Sequence, residues 1–261
     1  MDERQMGEMW EANAENWTLL ARMGCDIYRD QFNTPAFMSM LPDVKGLSGL
    51  DIGCGEGSNT RQVASRGAKM TAVDIAPTFI RYALEKERED PLGIVYSVAD
   101  GTELPFPDYS FDFCTAFMSF MDMVDHEKAI KESYRVLRPG GFLQFSICHP
   151  CFNSSARRWI DDDEGGHIGL AVTDYFKEGQ PIIEEWIFNE TPADLKAKLP
   201  KFRILSYHRT LSSWMNLVLD AGYSIERVHE PTASDEAIRK YPHLADTRLI
   251  SHFLILRCRK A

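Results

Sequence analysis

The sequence predicts an α/β protein built on a mostly parallel sheet with helices on both faces. Three observations predict it. Short apolar runs alternate with longer segments of helical spacing from residue 46 to 150. Those runs are nearly continuous in apolar residues, as strands covered on both faces must be. A glycine-rich turn, "LDIGCGEG" at 50–57, joins the first run to the first following helix. Parallel neighbours joined this way imply right-handed crossovers.

The elements follow in order. "WEANAENWTLLARMG" and "CDIYRDQFNTPAFMSML" carry apolar residues at helical spacing and predict two helices before Pro42 and Gly46. "GLSGLDIG" predicts the first strand and "SNTRQVASRG" a helix ended by Gly67. "AKMTAVDI" is the second strand, and "PTFIRYALEKERED" opens on Pro77, a favoured first helical position. "LGIVYSVAD" and "FDFCTAF" are the third and fourth strands. "DHEKAIKESYRVL" is a helix stopped by Pro139, and "GFLQFSI" is the fifth strand. Past residue 150 the rhythm breaks. "DDDEGGHIG" reads as a polar loop, and "AVTDYF" and "IIEEWIFNE" as strands. Alternation returns with the helix "LSSWMNLVLDAG" and the strands "SIERVHE" and "RLISHFLILRCR". The expected organisation is leading helices over 1–45, a core over 46–150, an insertion over 151–209, and the rest of the core over 210–261.

Composition excludes some partners. With 29 basic and 39 acidic residues the net charge is −10, which disfavours binding to nucleic acid. No apolar run is long enough to span a bilayer, and the polar, acidic start lacks the pattern of a secretory leader. Six cysteines scattered through a long chain predict reduced thiols. A cytoplasmic protein, monomeric or homodimeric and free of membrane, is expected.

Gly53, Gly55 and Gly57 let the backbone turn tightly and approach a ligand closely, with the amino end of a helix beyond them. Such a loop alone is a weak signal. Asp74 ends the next strand, where a carboxylate can accept hydrogen bonds from two ribose hydroxyls or cap the following helix. The spacing is GxGxG, not the GxGxxG of dinucleotide enzymes.

With "LDIGCGEG", Asp74, "VADGTELPFPDYSFDFC" and "AIKESYRVLRPGG" in that order, the chain resembles the class I S-adenosylmethionine-dependent methyltransferases, in the group related to ubiquinone-biosynthesis and other small-molecule enzymes. The likeness covers residues 45–150 well and the last helix and strands more loosely. It implies a Rossmann-like sheet of order 3-2-1-4-5-7-6 with the last strand antiparallel, and S-adenosylmethionine as cofactor. It implies that Asp51, Gly53, Cys54 and Gly55 lie along the methionine part, that Asp74 holds the ribose, and that Ile75 packs on adenine. Asp100 and Gly101 would read the adenine amino edge, and Phe117, Met118 and Ser119 would flank the sulfonium. The leading helices would close over the cofactor through Trp17, Tyr28 and Arg29, with Tyr28 or Arg29 meeting its carboxylate. The insertion would cap the acceptor, a small or medium-sized molecule offering oxygen, nitrogen or carbon.

The acceptor side is less legible. His149 and His208 are the candidate general bases, and Arg209 suits an acceptor carboxylate. Asp125 and His126 read as a helix start, and Asp161–Glu164 as a solvated loop, so no metal site is expected. Trp159, Tyr175, Phe176 and Trp186 could form a lid or ordinary core. The pair Cys148 and Cys151 lacks the second ligand pair of a zinc site and reads as part of a loop wall. Rival readings are a nicotinamide dehydrogenase and a non-catalytic S-adenosylmethionine-binding protein. A base methyltransferase would carry an "NPPY"-type motif where "AFMSFMDM" stands.

Overall fold

The computed structural model describes residues 2–179 and 181–261. The chain opens on α1 (Glu3–Arg22), started by a capping box in which Asp2 and Gln5 exchange side-chain and backbone hydrogen bonds. The second expected helix runs from Ile27 and is irregular inside. A π-helical turn over Arg29–Asn33 runs directly into α2 (Thr34–Met40).

The alternating unit follows as β1 (Ser48–Ile52), α3 (Ser58–Ala64), β2 (Lys69–Asp74), α4 (Pro77–Glu89), β3 (Val95–Val98), β4 (Phe111–Phe117), α5 (His126–Val136) and β5 (Leu137–Cys148). One expectation needs correcting: Pro139 does not stop α5. The helix has already ended at Val136, and Leu137, fully buried in the core, is extended and opens β5. Pro139, Gly140 and Gly141 lie inside β5. There the pairing jumps from Phe111↔Leu137 to Phe113↔Phe142, and the extra residues bulge outward.

The insertion consists of two antiparallel ribbons. β6 (Ala156–Asp161) pairs with β7 (His167–Thr173). β8 (Pro181–Trp186) pairs with β9 (Phe202–Tyr207), with the short α6 (Ala193–Lys196) between them. The sequence gives no signal for β6, because "ARRWID" lies mostly exposed. The "DDDE" stretch is the turn of the first ribbon, where Asp162 accepts hydrogen bonds from the Glu164 and Gly166 amides. β7 stops at Thr173 rather than continuing through Phe176, as Asp174 turns the chain at φ 59°.

The chain then returns to the core through α7 (Leu211–Asp220), β10 (Tyr223–His229), the short α8 (Asp235–Lys240) and β11 (Phe253–Lys260). The last expected strand begins only at Phe253, and its expected start, Arg248, ends a 3-10 turn over Pro242–Arg248. The sheet order is β3-β2-β1-β4-β5-β11-β10, with β11 antiparallel to β5 and β10. Counting core strands only, this is the expected 3-2-1-4-5-7-6. Leu50, Ile52, Cys114, Ala116, Leu143 and Phe145 of its central strands are fully buried.

α1 ties core to insertion. Glu11 accepts from both the amide and the hydroxyl of Thr78 at the start of α4. The Asn13 side chain bonds the backbone of Arg203 in both directions, adding a ladder rung to the edge of β9. Trp17 packs between Phe188 and Phe202, each 4.8 Å away between ring centroids.

Candidate active site

A cleft of about 950 Å³ opens over the carboxyl ends of β1, β2, β4 and β5, with α1 and the β8–β9 ribbon among its walls. It lies where ligands bind in open α/β sheets. Its volume is near the top of the range of roughly 300–1,000 Å³ found for pockets that bury a drug-sized ligand.

The glycine loop is shaped from inside. Gly53, Gly55 and Gly57 all have positive φ, at 74°, 55° and 88°. The Gly53 and Cys54 amides donate to Val73 O, at 2.8 and 3.0 Å, which folds the loop onto β2. A Cβ at Gly55 would meet nothing within 4 Å, so the loop backbone stands bare toward the cleft.

Asp51 is among the residues that line the cleft. Its carboxylate turns inward, accepting from the hydroxyls of Thr60 on α3 and Thr115 on β4. Burial pushes its pKa up to about 6 in spite of those bonds. It fastens β1, α3 and β4 together below the loop. Asp74 keeps one oxygen on the Gly55 amide, at 2.8 Å, and the other on the Ala76 amide, at 2.9 Å. The helix cap is Ala76, not Asp74. Each Asp74 oxygen retains a lone pair, and burial raises this carboxyl to about 6 as well.

The remaining predicted residues meet around the same space. Ile75, Asp100, Gly101, Phe117, Met118 and Ser119 all line the cleft. Met118 is held at φ 53°, a strained conformation for this residue type, with its amide on Ser146 O. The Ser119 hydroxyl donates to Ile52 O at 2.6 Å. Arg29 lines the cleft inside an acidic cage, 2.7 Å from Asp30, 3.9 Å from Asp26 and 3.8 Å from Glu56. Tyr28 also lines it, but its hydroxyl donates to Asp246 at 2.8 Å and is not free for a ligand carboxylate.

The two candidate bases separate. His208 lines the cleft, and its Nε2 bonds Tyr175 O at 2.7 Å, which leaves Nδ1 as the basic nitrogen of the neutral ring. His149 does not line it. Its Nε2 meets Glu230 at 2.7 Å and its Nδ1 accepts the Cys151 amide at 3.2 Å, so both nitrogens are committed to holding the turn after β5. His149→Ala is therefore expected to leave turnover within about threefold of wild type. It should cost about 1–3 kcal/mol of stability through the stranded Cys151 amide, seen as a lower melting temperature; a collapse of turnover with an unchanged melting temperature would restore His149 to catalysis.

Of the proposed lid, Trp159 and Trp186 line the cleft. Tyr175 lies behind His208, and Phe176 is 86% exposed. Asp125 caps α5 through the Lys128 amide. Arg209 lines the cleft with no hydrogen bond to its Nε.

The sequence reading passed over Asp122, Arg157, Glu184 and His252, which also face this space. Asp122 lies in "MDMVDHE", where the neighbouring Asp125 and His126 drew attention as a helix start. His252 sits beside Asp246, at 3.3 Å, and against the Tyr28 ring.

The cleft suits S-adenosylmethionine in its donor set: Asp74 and Asp100 offer acceptors, the bare loop offers backbone, and surrounding carboxylates favour a cation. Comparison with known proteins agrees. A methyltransferase-domain family model matches residues 50–145. A demethylmenaquinone methyltransferase of Thermus thermophilus is 38% identical over 36% of this chain and 44% of its own length. A malonyl-[acyl-carrier protein] O-methyltransferase of Serratia marcescens is 35% identical over 37% of this chain and 36% of its own. The chain thus spans less than half of these two enzymes. The crystal structure of an S-adenosylmethionine-dependent methyltransferase from Mesorhizobium loti aligns over 87% of this chain and 96% of its own, at 28% identity and a TM-score of 0.70. The sheet order, the loop and these matches are those of the class I S-adenosylmethionine-dependent methyltransferases, whose domain model covers residues 50–145, with S-adenosylmethionine as the cofactor.

Proposed function

We propose that the protein methylates a small or medium-sized molecule at oxygen, nitrogen or carbon, as a cytoplasmic monomer or homodimer that acts on neither nucleic acid nor membrane. The observation that carries this is the extent of the cleft. It runs from the glycine loop, Asp74 and Asp100, past Phe117–Ser119, to walls supplied by the insertion, leaving room for an acceptor beside the cofactor. A curated relative named for demethylmenaquinone supports an acceptor of that size.

When bound, S-adenosylmethionine supplies a methyl group on a positively charged sulfur. In this reading Asp74 accepts from the ribose hydroxyls, Asp100 and Gly101 meet the adenine edge, and Ile75 packs on its face. Gly53, Cys54 and Gly55 lie along the amino-acid part, and Arg29 faces its carboxylate. Phe117, Met118 and Ser119 border the reacting sulfur. The insertion excludes water and orients the acceptor for in-line attack, which is the larger share of what a protein can add to this reaction. His208 is the histidine placed to meet the acceptor. Residues 1–45 serve as cover for the cofactor, 46–150 and 210–261 as its platform, and 151–209 as the acceptor cap.

A dinucleotide finds less support here. No loop residue is basic, and Arg61, the cation nearest in sequence, is tied to Glu87 and Asp90 at 2.7 Å each. Calorimetry should show micromolar or tighter binding of S-adenosylmethionine and S-adenosylhomocysteine and none of NAD. Tight NAD binding without S-adenosylmethionine binding would reverse the assignment. Cofactor binding with no turnover on any acceptor would favour the non-catalytic reading.

A further inference from the structure

The wall of the cleft beyond the cofactor loop holds a carboxyl group with nothing to bond. Asp122 ends the 3-10 turn Phe120–Asp122 that follows β4. It is 8% exposed and lines the cleft. No hydrogen bond from the described residues reaches its carboxylate. Burial, and then the like charge of Glu184, push it well above the usual carboxylate range. Glu184 comes from the face of β8 whose alternate residues Ile182, Glu184 and Trp186 line the cleft. The Phe120–Asp122 turn packs against β9, the partner strand of β8, and Cys148, at the end of β5, and Arg157 line the same corner of the cleft.

Among the described residues, no cation is paired with Asp122 itself. Arg157 stands 3.9 Å from Glu184 and is not among the charges acting on Asp122. Arg29 is caged by Asp26, Asp30 and Glu56, and Arg209 is under the charges of Glu178, Glu127 and Asp125. A buried carboxylate without donor or counter-charge is costly, and a protein keeps one where a ligand completes it. At the cofactor loop, by contrast, Asp51 and Asp74 already hold hydrogen bonds from the protein.

We propose that Asp122 and Glu184 receive the protonated amine of the methyl acceptor, and that Asp122 takes the proton that frees its nitrogen. The proposal rests on the methyltransferase reading above and narrows its acceptor to a primary or secondary amine on an apolar frame. An ammonium supplies both things Asp122 lacks, N–H donors and positive charge. Trp159, Tyr207 and Trp214 border the cleft and suit a cation carried on an apolar body. The balance is simple. One N–H proton passes to the Asp122 carboxylate. The freed electron pair forms the new N–C bond, the methyl's bond to sulfur breaks, and that pair stays on the sulfur. The methylated nitrogen leaves as an ammonium, and the proton on Asp122 returns to water.

The test is calorimetry on protein loaded with S-adenosylhomocysteine, using phenethylamine, tryptamine and N-methylbenzylamine beside 3-phenylpropionate and 2-phenylethanol. Amines should bind, and the carboxylate and alcohol should bind at least tenfold more weakly. Asp122→Asn should weaken amine binding at least tenfold and cut kcat/KM with a bound amine by roughly 10²-fold or more. Its affinities for S-adenosylmethionine and S-adenosylhomocysteine should stay within twofold of wild type, and an unlowered melting temperature would show an intact fold. The proposal falls if no amine binds, if the carboxylate binds best, or if Asp122→Asn leaves amine binding unchanged. It falls too if the variant weakens S-adenosylmethionine more than S-adenosylhomocysteine, for then the carboxylate serves the sulfonium. Wild-type protein that binds neither cofactor form would overturn the methyltransferase reading itself, a result distinct from all of these.

Discussion

Asp74→Ala is expected to weaken S-adenosylmethionine binding by roughly 10²–10⁴-fold, the loss of two charge-assisted hydrogen bonds at about 1.5–3 kcal/mol each. Calorimetry against wild type checks it, and binding as tight as wild type would remove Asp74 from the ribose site. A pH series sharpens the test. Burial holds this carboxyl at about 6 in the free protein, above its ordinary 3.8. A carboxyl raised on folding contributes stability that is fully present below its unfolded value and lost as pH rises through its folded value. The difference corresponds to roughly 3 kcal/mol. Ribose hydroxyls donate to the ionised form, so the ligand has the opposite preference. Acidification from pH 8 to pH 5 should therefore reduce wild-type affinity for S-adenosylmethionine while relieving the free protein at this site. The alanine variant should lose that part of the pH dependence of binding; an identical pH profile in both proteins would place the titrating group elsewhere.

Gly53→Ala should be the most damaging single methyl group in the loop. The residue sits at φ 74°, and an added Cβ would lie 2.4 Å from the Ser119 Cβ and 2.8 Å from its hydroxyl oxygen. Left-handed backbone costs a non-glycine residue about 1–2 kcal/mol. Overpacking adds about 1–3 kcal/mol. Ser119 cannot yield freely, because its hydroxyl is bonded to Ile52 O. The sum, roughly 2–5 kcal/mol, should lower the melting temperature by about 5–20 °C at the usual 2–4 °C per kcal/mol for a chain near this size. Gly55→Ala is the control. It shares the positive φ but has open space around the added methyl, so it should cost only about 1–2 kcal/mol of stability. Its methyl projects into the cleft and should still impair cofactor binding. Equal melting temperatures for the two variants would show that the approach of Ser119 is not what demands glycine at 53.

Much of this molecule was written in local pattern. The five core strands and the helices between them follow from apolar runs, glycines and Pro77, because a strand covered on both faces has little choice of composition. The glycine loop and Asp74 were legible for the same kind of reason: a tight turn before a helix and an acid at a strand end leave fixed spacings. Other features depended on distant partners. β6 and β9 were not recognised as strands, since a half-exposed ribbon needs its partner strand more than a periodic sequence. Asp51 lines the cleft, but the hydroxyls of Thr60 and Thr115 that hold its carboxylate come from two other elements. His149 and His208 looked equivalent in sequence. Glu230, 81 residues further on, takes His149 into the structure, while His208 stays on the cleft wall. Asp122 had no motif to mark it. Its isolation comes from the turn after β4 and from β8, which bring two acids to one wall of the cleft with no counter-charge on Asp122. The sequence by itself determined the sheet, its loop and the cofactor they suit, because those rest on backbone geometry within short stretches. Only the tertiary structure decided which polar side chains are spent on holding the fold and which are left for a ligand, because a hydrogen bond is used up by whatever folding brings within 3 Å, roughly its natural length.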